Sequence, residues 1–231
     1  MSYRIPKHIR LFDPVLIISI IILISGCQLL GRQISQTSPI PSLNGKIVVL
    51  GFRSAVSEIE EAGLIRSPFS ESVFVSEPIS QDITDKMTYK LFSRLKDYAG
   101  YEVIGRDKEE AILSGPLSSG QGRRDKETFM RIGGILSAEA VMVGYIYRWR
   151  ERRGSDYSVD RPASTAFELC LIRSKDGEIL WNASFDKTQA PLSENILEAR
   201  IFFKGKGKWM TVESLADLGL SDILDSALSP E

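Results

Sequence analysis

The chain has 231 residues, 43 % of them hydrophobic, with 29 Lys+Arg against 30 Asp+Glu and a net charge of −1. That balance leaves no basic footprint for nucleic acid, and the apolar content is enough for a buried core. One histidine, His8, and two cysteines, Cys27 and Cys170, leave little material for imidazole catalysis, zinc ligation or disulfides.

At the N-terminus, Arg4, Lys7 and Arg10 form a positive region, and residues 15–24 are aliphatic apart from one serine. Ser25 and Gly26 then precede Cys27. This is the order of a secretory signal, and the cysteine at the cleavage point makes it resemble a bacterial lipoprotein signal. The resemblance implies cleavage after Gly26 and lipidation of Cys27 by diacylglycerol and an acyl chain, with no other cofactor. Each buried methylene contributes about 0.8 kcal/mol, so one chain is marginal and several hold. An uncleaved membrane helix over residues 11–30 is the competing reading, its apolar core shortened by Asp13, Pro14 and Gln28. Gln28, rather than Asp, after the anchor points to the outer membrane with the domain facing the periplasm. The signal holds three of the basic residues, one of the acidic ones and His8, so the mature chain carries −3 and no histidine. Cys170 is left without an intramolecular partner, and in the strand-like run 165–172 it reads as a small buried hydrophobe.

Residues 28–44, rich in Ser, Gln, Thr and Pro, read as a flexible tether. The apolar run 47–52 predicts a buried central strand. Residues 53–77 form a long mixed segment of the kind that is a functional or disordered loop. Within it Phe69, Val73, Phe74 and Val75 must either fold back onto the domain or dock on a partner. Ile83, Met87, Leu91, Leu95 and Tyr98 predict a helix over 82–98, capped by Ser80 or Asp82 and ended at Gly100. A strand over 101–104, a short helix over 108–113 and a glycine-marked loop over 114–124 follow. Residues 126–137 read as helix with Phe129, Ile132 and Leu136 on one face. Residues 140–147 read as a strand running into the charged stretch 148–153. Strands over 165–173 and 178–186 are joined across Asp176-Gly177, a strong hairpin signal. Residues 191–200 read as helical. Thr211 caps a C-terminal helix with Val212, Leu215, Ala216, Leu218 and Leu220 on its apolar side, bent near Gly219.

This order predicts an α/β single domain with a mixed sheet, a parallel βαβαβ core plus an antiparallel hairpin, covered by helices. The divisions are a signal over 1–26, a lipid-anchored tether over 27–45, the α/β domain over 46–200, and a C-terminal basic loop and helix over 201–231.

The sequence patterns then resemble a group of envelope lipoproteins. Lys46-Ile47-Val48-Val49-Leu50-Gly51-Phe52 is similar to their "K-I-A-V-L-P-F" strand, and Val103-Ile104-Gly105-Arg106-Asp107 to their "V-I-E-R". Ile132-Gly133, Leu136 and residues 138–144 follow "I-G-x-x-L-G-A-D-A-V-L-x-G", and residues 171–181 follow "L-V-D-x-x-T-G-E-I-L-W". Together these resemble the group of the curli secretion protein CsgG, the penicillin-binding-protein activator LpoB and the N-terminal domain of TolB. Gly51 replaces the usual proline, and Glu139 stands where Asp is common. These positions carry fold rather than chemistry.

Lys204, Lys206, Lys208 and Trp209, beside Phe202 and Phe203, form a basic and aromatic patch suited to an acidic partner or lipid headgroups, with a plain exposed loop as the alternative. Trp181 reads as core. Arg123, Arg124 and Lys126 follow Gly120-Gln121-Gly122, which lacks the order of a phosphate loop. Glu58, Glu60 and Glu61 offer no assignable acid–base pair, and no metal site is expected. The expected function is a non-enzymatic, lipid-anchored periplasmic adaptor or regulator. It would touch an envelope protein that the sequence does not name, with oligomers open and no nucleic acid. The alternative is a subunit of a CsgG-like outer-membrane secretion channel. That needs spanning strands of about 9–11 residues, which the charged segments 53–77 and 148–162 suit poorly. An enzyme using Ser, Lys or carboxylates has no support beyond the presence of those residues.

Overall fold

A computed structural model describes residues 39–56, 61–96, 100–113, 126–155, 158–189 and 209–228. The first half holds β1 (Ile47–Ser54), β2 (Gly63–Arg66), β3 (Val73–Ser76), α1 (Gln81–Leu95), β4 (Tyr101–Val103) and α2 (Arg106–Leu113). Then come α3 (Lys126–Ile135), β5 (Ala140–Arg150), β6 (Arg153–Gly154), β7 (Val159–Arg161), β8 (Ser164–Arg173), β9 (Ile179–Thr188) and α4 (Val212–Leu228). Five strands form one sheet in the order β4-β1-β5-β8-β9. β1 lies parallel to both neighbours, and β8 and β9 extend the sheet antiparallel. The α/β class with a mixed sheet is therefore as the element order predicts: helical crossovers require parallel neighbours, and the tight Asp176-Gly177 turn, with Gly177 at φ +71°, requires an antiparallel pair.

Alternation along the strands divides the core into two layers. Ile47, Val49, Met142, Ile146, Phe167, Leu169 and Phe185 face α1 and α4. Val48, Leu50, Val141, Val143, Cys170 and Ile172 face the other side, against Ile104 and Phe129 and Ile132 of α3. Strict alternation would send Phe52 to the α3 side. Instead the β1–β5 register shifts between Val49 and Phe52, and Gly51 sits there at φ +81°. This bulge re-aims Phe52 into the α1–α4 layer, where it meets Phe167 edge-on at 5.8 Å. A proline, held near φ −65°, cannot take that conformation, so this chain turns the strand by other means than the related pattern does. Gly144, opposite Phe52, makes room for the ring: a Cβ there would lie 2.4 Å from it.

Several local expectations need correction. The segment 53–77 is not structureless, because β2 and β3 pair as an antiparallel hairpin within it. Strands of four residues give too short a pattern for periodicity to reveal. The charged connection after β5 holds a second small pair, β6–β7. α1 starts at Gln81, with Ser80 at its N-cap making no side-chain cap bond; Tyr98 lies outside the described residues, as do the loop 114–124 and the helix expected over 191–200. Thr211 does cap α4, its hydroxyl accepting the Ser214 amide at 3.2 Å. α4 is continuous through Gly219. That glycine serves close approach rather than a bend, since a Cβ there would lie 2.5 Å from the Phe185 ring. Leu215, Leu220, Ile223 and Leu224 of α4 are buried in the core, so this helix packs on the sheet.

Candidate interaction surface

The β2–β3 hairpin is two-faced because directly opposed residues in an antiparallel pair share a side. Ile65 opposes Phe74 on the inner side; Leu64 opposes Val75, and Arg66 opposes Val73, on the outer side. Phe74 is buried and stacks on Tyr147 at 4.0 Å between centroids. Phe69, in the turn, is buried against Phe129 and Tyr145. Leu64 is 78 % exposed, Val73 50 % and Val75 41 %. The four apolar residues singled out in the sequence therefore split: Phe69 and Phe74 fold back, while Val73 and Val75 face out together with Leu64, which sequence reasoning missed.

Polar pins hold the hairpin down. Ser67 donates to the Glu168 carboxylate at 2.6 Å and receives the amides of Phe69 and Ser70 at 3.0 and 3.1 Å. Tyr147 donates to the same carboxylate oxygen at 3.0 Å. Burial, and then the Glu168 charge, push the Tyr147 hydroxyl far above the usual phenol range, so it stays a donor. At the other end, Glu77 receives the Trp149 amide at 2.9 Å and the Arg150 guanidinium at 2.7 Å. A face held from behind at both ends is pre-organised for contact, which lowers the ordering cost of binding.

This face lies at one defined end of the sheet. The described chain enters at the opposite end, where the Ile40 amide donates to the Ala227 carbonyl at 3.0 Å and the Gly45 amide donates to the Glu139 carboxylate, just before β5. Ile40 and Leu43 pack on the core there, although residues 28–44 read as tether. The hairpin instead sits beside Tyr147 and Arg150, at the carboxyl end of β5. The eleven residues of β5 separate the two ends by about 33 Å at 3.3 Å per residue.

The other sequence candidates fall differently. Gly26, Cys27, Lys204, Lys206 and Lys208 lie outside the described residues, as do Glu58, Glu60, Arg123 and Arg124. Trp209 is half-buried, and its carbonyl accepts Arg152 at 2.9 Å just ahead of α4. Trp181 is 4 % exposed and belongs to the core. Among the described residues no cluster of metal-ligating side chains occurs, and no helix is long and apolar enough to cross a membrane. Sequence reasoning also missed the buried Arg53–Glu109 ion pair, joined by residues 56 apart, with Arg53 stacked over Phe129.

Cys170 is fully buried, and its thiol is pushed well above the usual range by burial and by the Glu168 charge. The thiolate is the reactive form, so the native protein is expected to give no reaction with Ellman's reagent at pH 8. After denaturation the same thiol should titrate fully. Rapid native modification would show that the α3-side core opens.

The chain is similar to several solved structures. The PelC dodecamer from Paraburkholderia phytofirmans is 14 % identical, with a TM-score of 0.46 over 85 % of this chain and 98 % of that one. The LpoB C-terminal domain from Salmonella enterica is 12 % identical, with a TM-score of 0.38 over 65 % and 88 %. Lipoprotein GNA1162 from Neisseria meningitidis is 16 % identical, with a TM-score of 0.34 over 70 % and 99 %. No curated protein matches the sequence. The family model of the curli production assembly/transport component CsgG matches residues 29–227, nearly all of the chain beyond the signal-like segment, and the protein belongs to that family.

Proposed function

We propose that this protein is a lipid-anchored, non-enzymatic component of envelope assembly that works by protein contact through the outer face of β2–β3. The observation that carries the reading is the row Leu64, Val73 and Val75, apolar and exposed on a hairpin whose inner face is pinned to the sheet. Lipid on Cys27 would hold the domain at the outer membrane, facing the periplasm. Strands of four residues fall short of the 9–11 needed to cross a bilayer, which favours contact over a spanning role for this hairpin.

A photo-crosslinking residue placed at position 75 in cells is expected to trap one discrete envelope protein. The same residue at position 86, on the exposed side of α1, should trap none. With the crosslinking residue at position 75, Leu64→Asp with Val73→Asp should abolish the adduct while changing stability by about 0.5 kcal/mol or less, as surface substitutions do. Equal adducts at positions 75 and 86, or none at either, would remove the hairpin as the contact face.

A further inference from the structure

Glu168 is the one charged residue in the buried run of β8, and it is fully buried. Tyr145 of β5 and Ser184 of β9 stand opposite it on the flanking strands. Both of its hydrogen-bond donors, the Ser67 and Tyr147 hydroxyls, are neutral, and both reach the same oxygen, Oε2. The other oxygen, Oε1, is buried with no hydrogen-bond partner among the described residues. The buried guanidiniums of the domain are used elsewhere, Arg53 on Glu109 and Arg148 on Asp186. A carboxylate taken out of water without a cation is costly, and two hydroxyl donors on one oxygen offset only part of that cost.

The hairpin is what covers this group. Ser67 lies in the turn between β2 and β3, and Phe69 of the same turn packs on Tyr145, the residue opposite Glu168. Among the described residues no backbone hydrogen bond joins residues 63–76 to the five-stranded sheet; the first runs from the Glu77 amide to the Tyr147 carbonyl at 2.8 Å. A two-stranded hairpin is marginal by itself, so side chains keep this one closed. Its two ends are held differently. At Glu77 the carboxylate is matched by the Arg150 guanidinium and the Trp149 amide. At Ser67 a neutral hydroxyl meets a buried anion that has no cation. From this asymmetry we infer that β2–β3 is a flap, hinged at Glu77 and lifting at the Ser67 turn, in which Glu168 favours opening because opening gives it water. Segments held in this way open locally before the core does. Closed, the flap presents Leu64, Val73 and Val75 in a fixed geometry; open, it uncovers Tyr145 and Tyr147 and frees Phe69 and Phe74. As a regulator of contact the flap rests on the reading of its outer face, whereas the motion itself does not.

The test is hydrogen exchange of the full-length protein in detergent micelles, read by mass spectrometry on peptides spanning 63–76 and 47–54. The hairpin peptide should exchange at least about tenfold faster than the β1 peptide. Glu168→Gln removes the charge while its side-chain carbonyl still accepts from both hydroxyls. It should slow the hairpin peptide about tenfold, a change of about 1.4 kcal/mol in the opening equilibrium. Ser67→Ala removes the flap's own donor and should speed that peptide about tenfold. Neither variant should change the β1 peptide. The sign for Glu168→Gln separates the flap from a plain structural role, because losing charge from a merely anchoring acceptor weakens its bonds and speeds exchange. A hairpin that exchanges no faster than β1, a Glu168→Gln protein with unchanged or faster exchange, or a Ser67→Ala protein with unchanged exchange would each overturn the inference. Because no partner is present, failure here leaves the crosslink at position 75 untouched, and failure of the crosslink leaves this exchange pattern intact.

Discussion

Cys27→Ser is expected to abolish lipid incorporation and to block removal of residues 1–26. The wild-type protein grown with a clickable fatty acid should carry label, and its mature mass should correspond to a chain beginning at Cys27 with three acyl chains. The variant should carry none and keep its N-terminal segment. The size of the effect follows from chain number: at about 0.8 kcal/mol per buried methylene, two or more long chains make dissociation negligible, whereas one is only marginal. The competing membrane-helix reading gives the opposite result. An unlabelled wild type that retains residues 1–26 would establish it, and Cys27→Ser would then change nothing.

Gly51→Ala should be strongly damaging to the domain. An L-residue at φ +81° costs roughly 1–2 kcal/mol, and the new Cβ would lie 2.4 Å from Thr88 Cγ2. Overpacking of that kind adds about 1–3 kcal/mol. For a domain of this size the sum lowers Tm by roughly 5–15 °C, readable by circular dichroism. The two terms can be separated. Thr88→Ala alone removes the hydroxyl that receives the Phe52 amide at 2.8 Å, at a cost of about 1 kcal/mol. Combined with Gly51→Ala it should recover the steric part and leave the backbone strain. A Gly51→Ala protein that melts within about 2 °C of wild type would show that β1 carries no glycine bulge.

How much of the surface was legible follows from sequence distance. The continuous apolar runs 47–50 and 140–143, and the Asp176-Gly177 turn, are local signals, and each became the element it predicts. The hairpin was not legible, because Leu64-Ile65 and Val73-Phe74-Val75 are too short to show a period on their own. Which of Phe74 and Val75 is buried depends on pairing with β2 and on Tyr147, 73 positions after Phe74, being there to stack on it. A one-residue slip would exchange the two faces. The Arg53–Glu109 ion pair was less legible still, because its residues lie 56 positions apart and share no local motif.

The order of residues was enough for the class of the fold, the signal-like N-terminus ending at Cys27, the lack of histidine beyond it, and the burial of Cys170 and Trp181. All of these rest on composition or on periodicity within one segment. Three features come from the packed fold alone: Gly51 redirects Phe52, Gly219 lets α4 close onto Phe185, and Val73 and Val75 face outward with Leu64. These depend on which distant backbones approach one another. Such an approach is fixed by packing the whole core at once, and no single stretch of chain contains it.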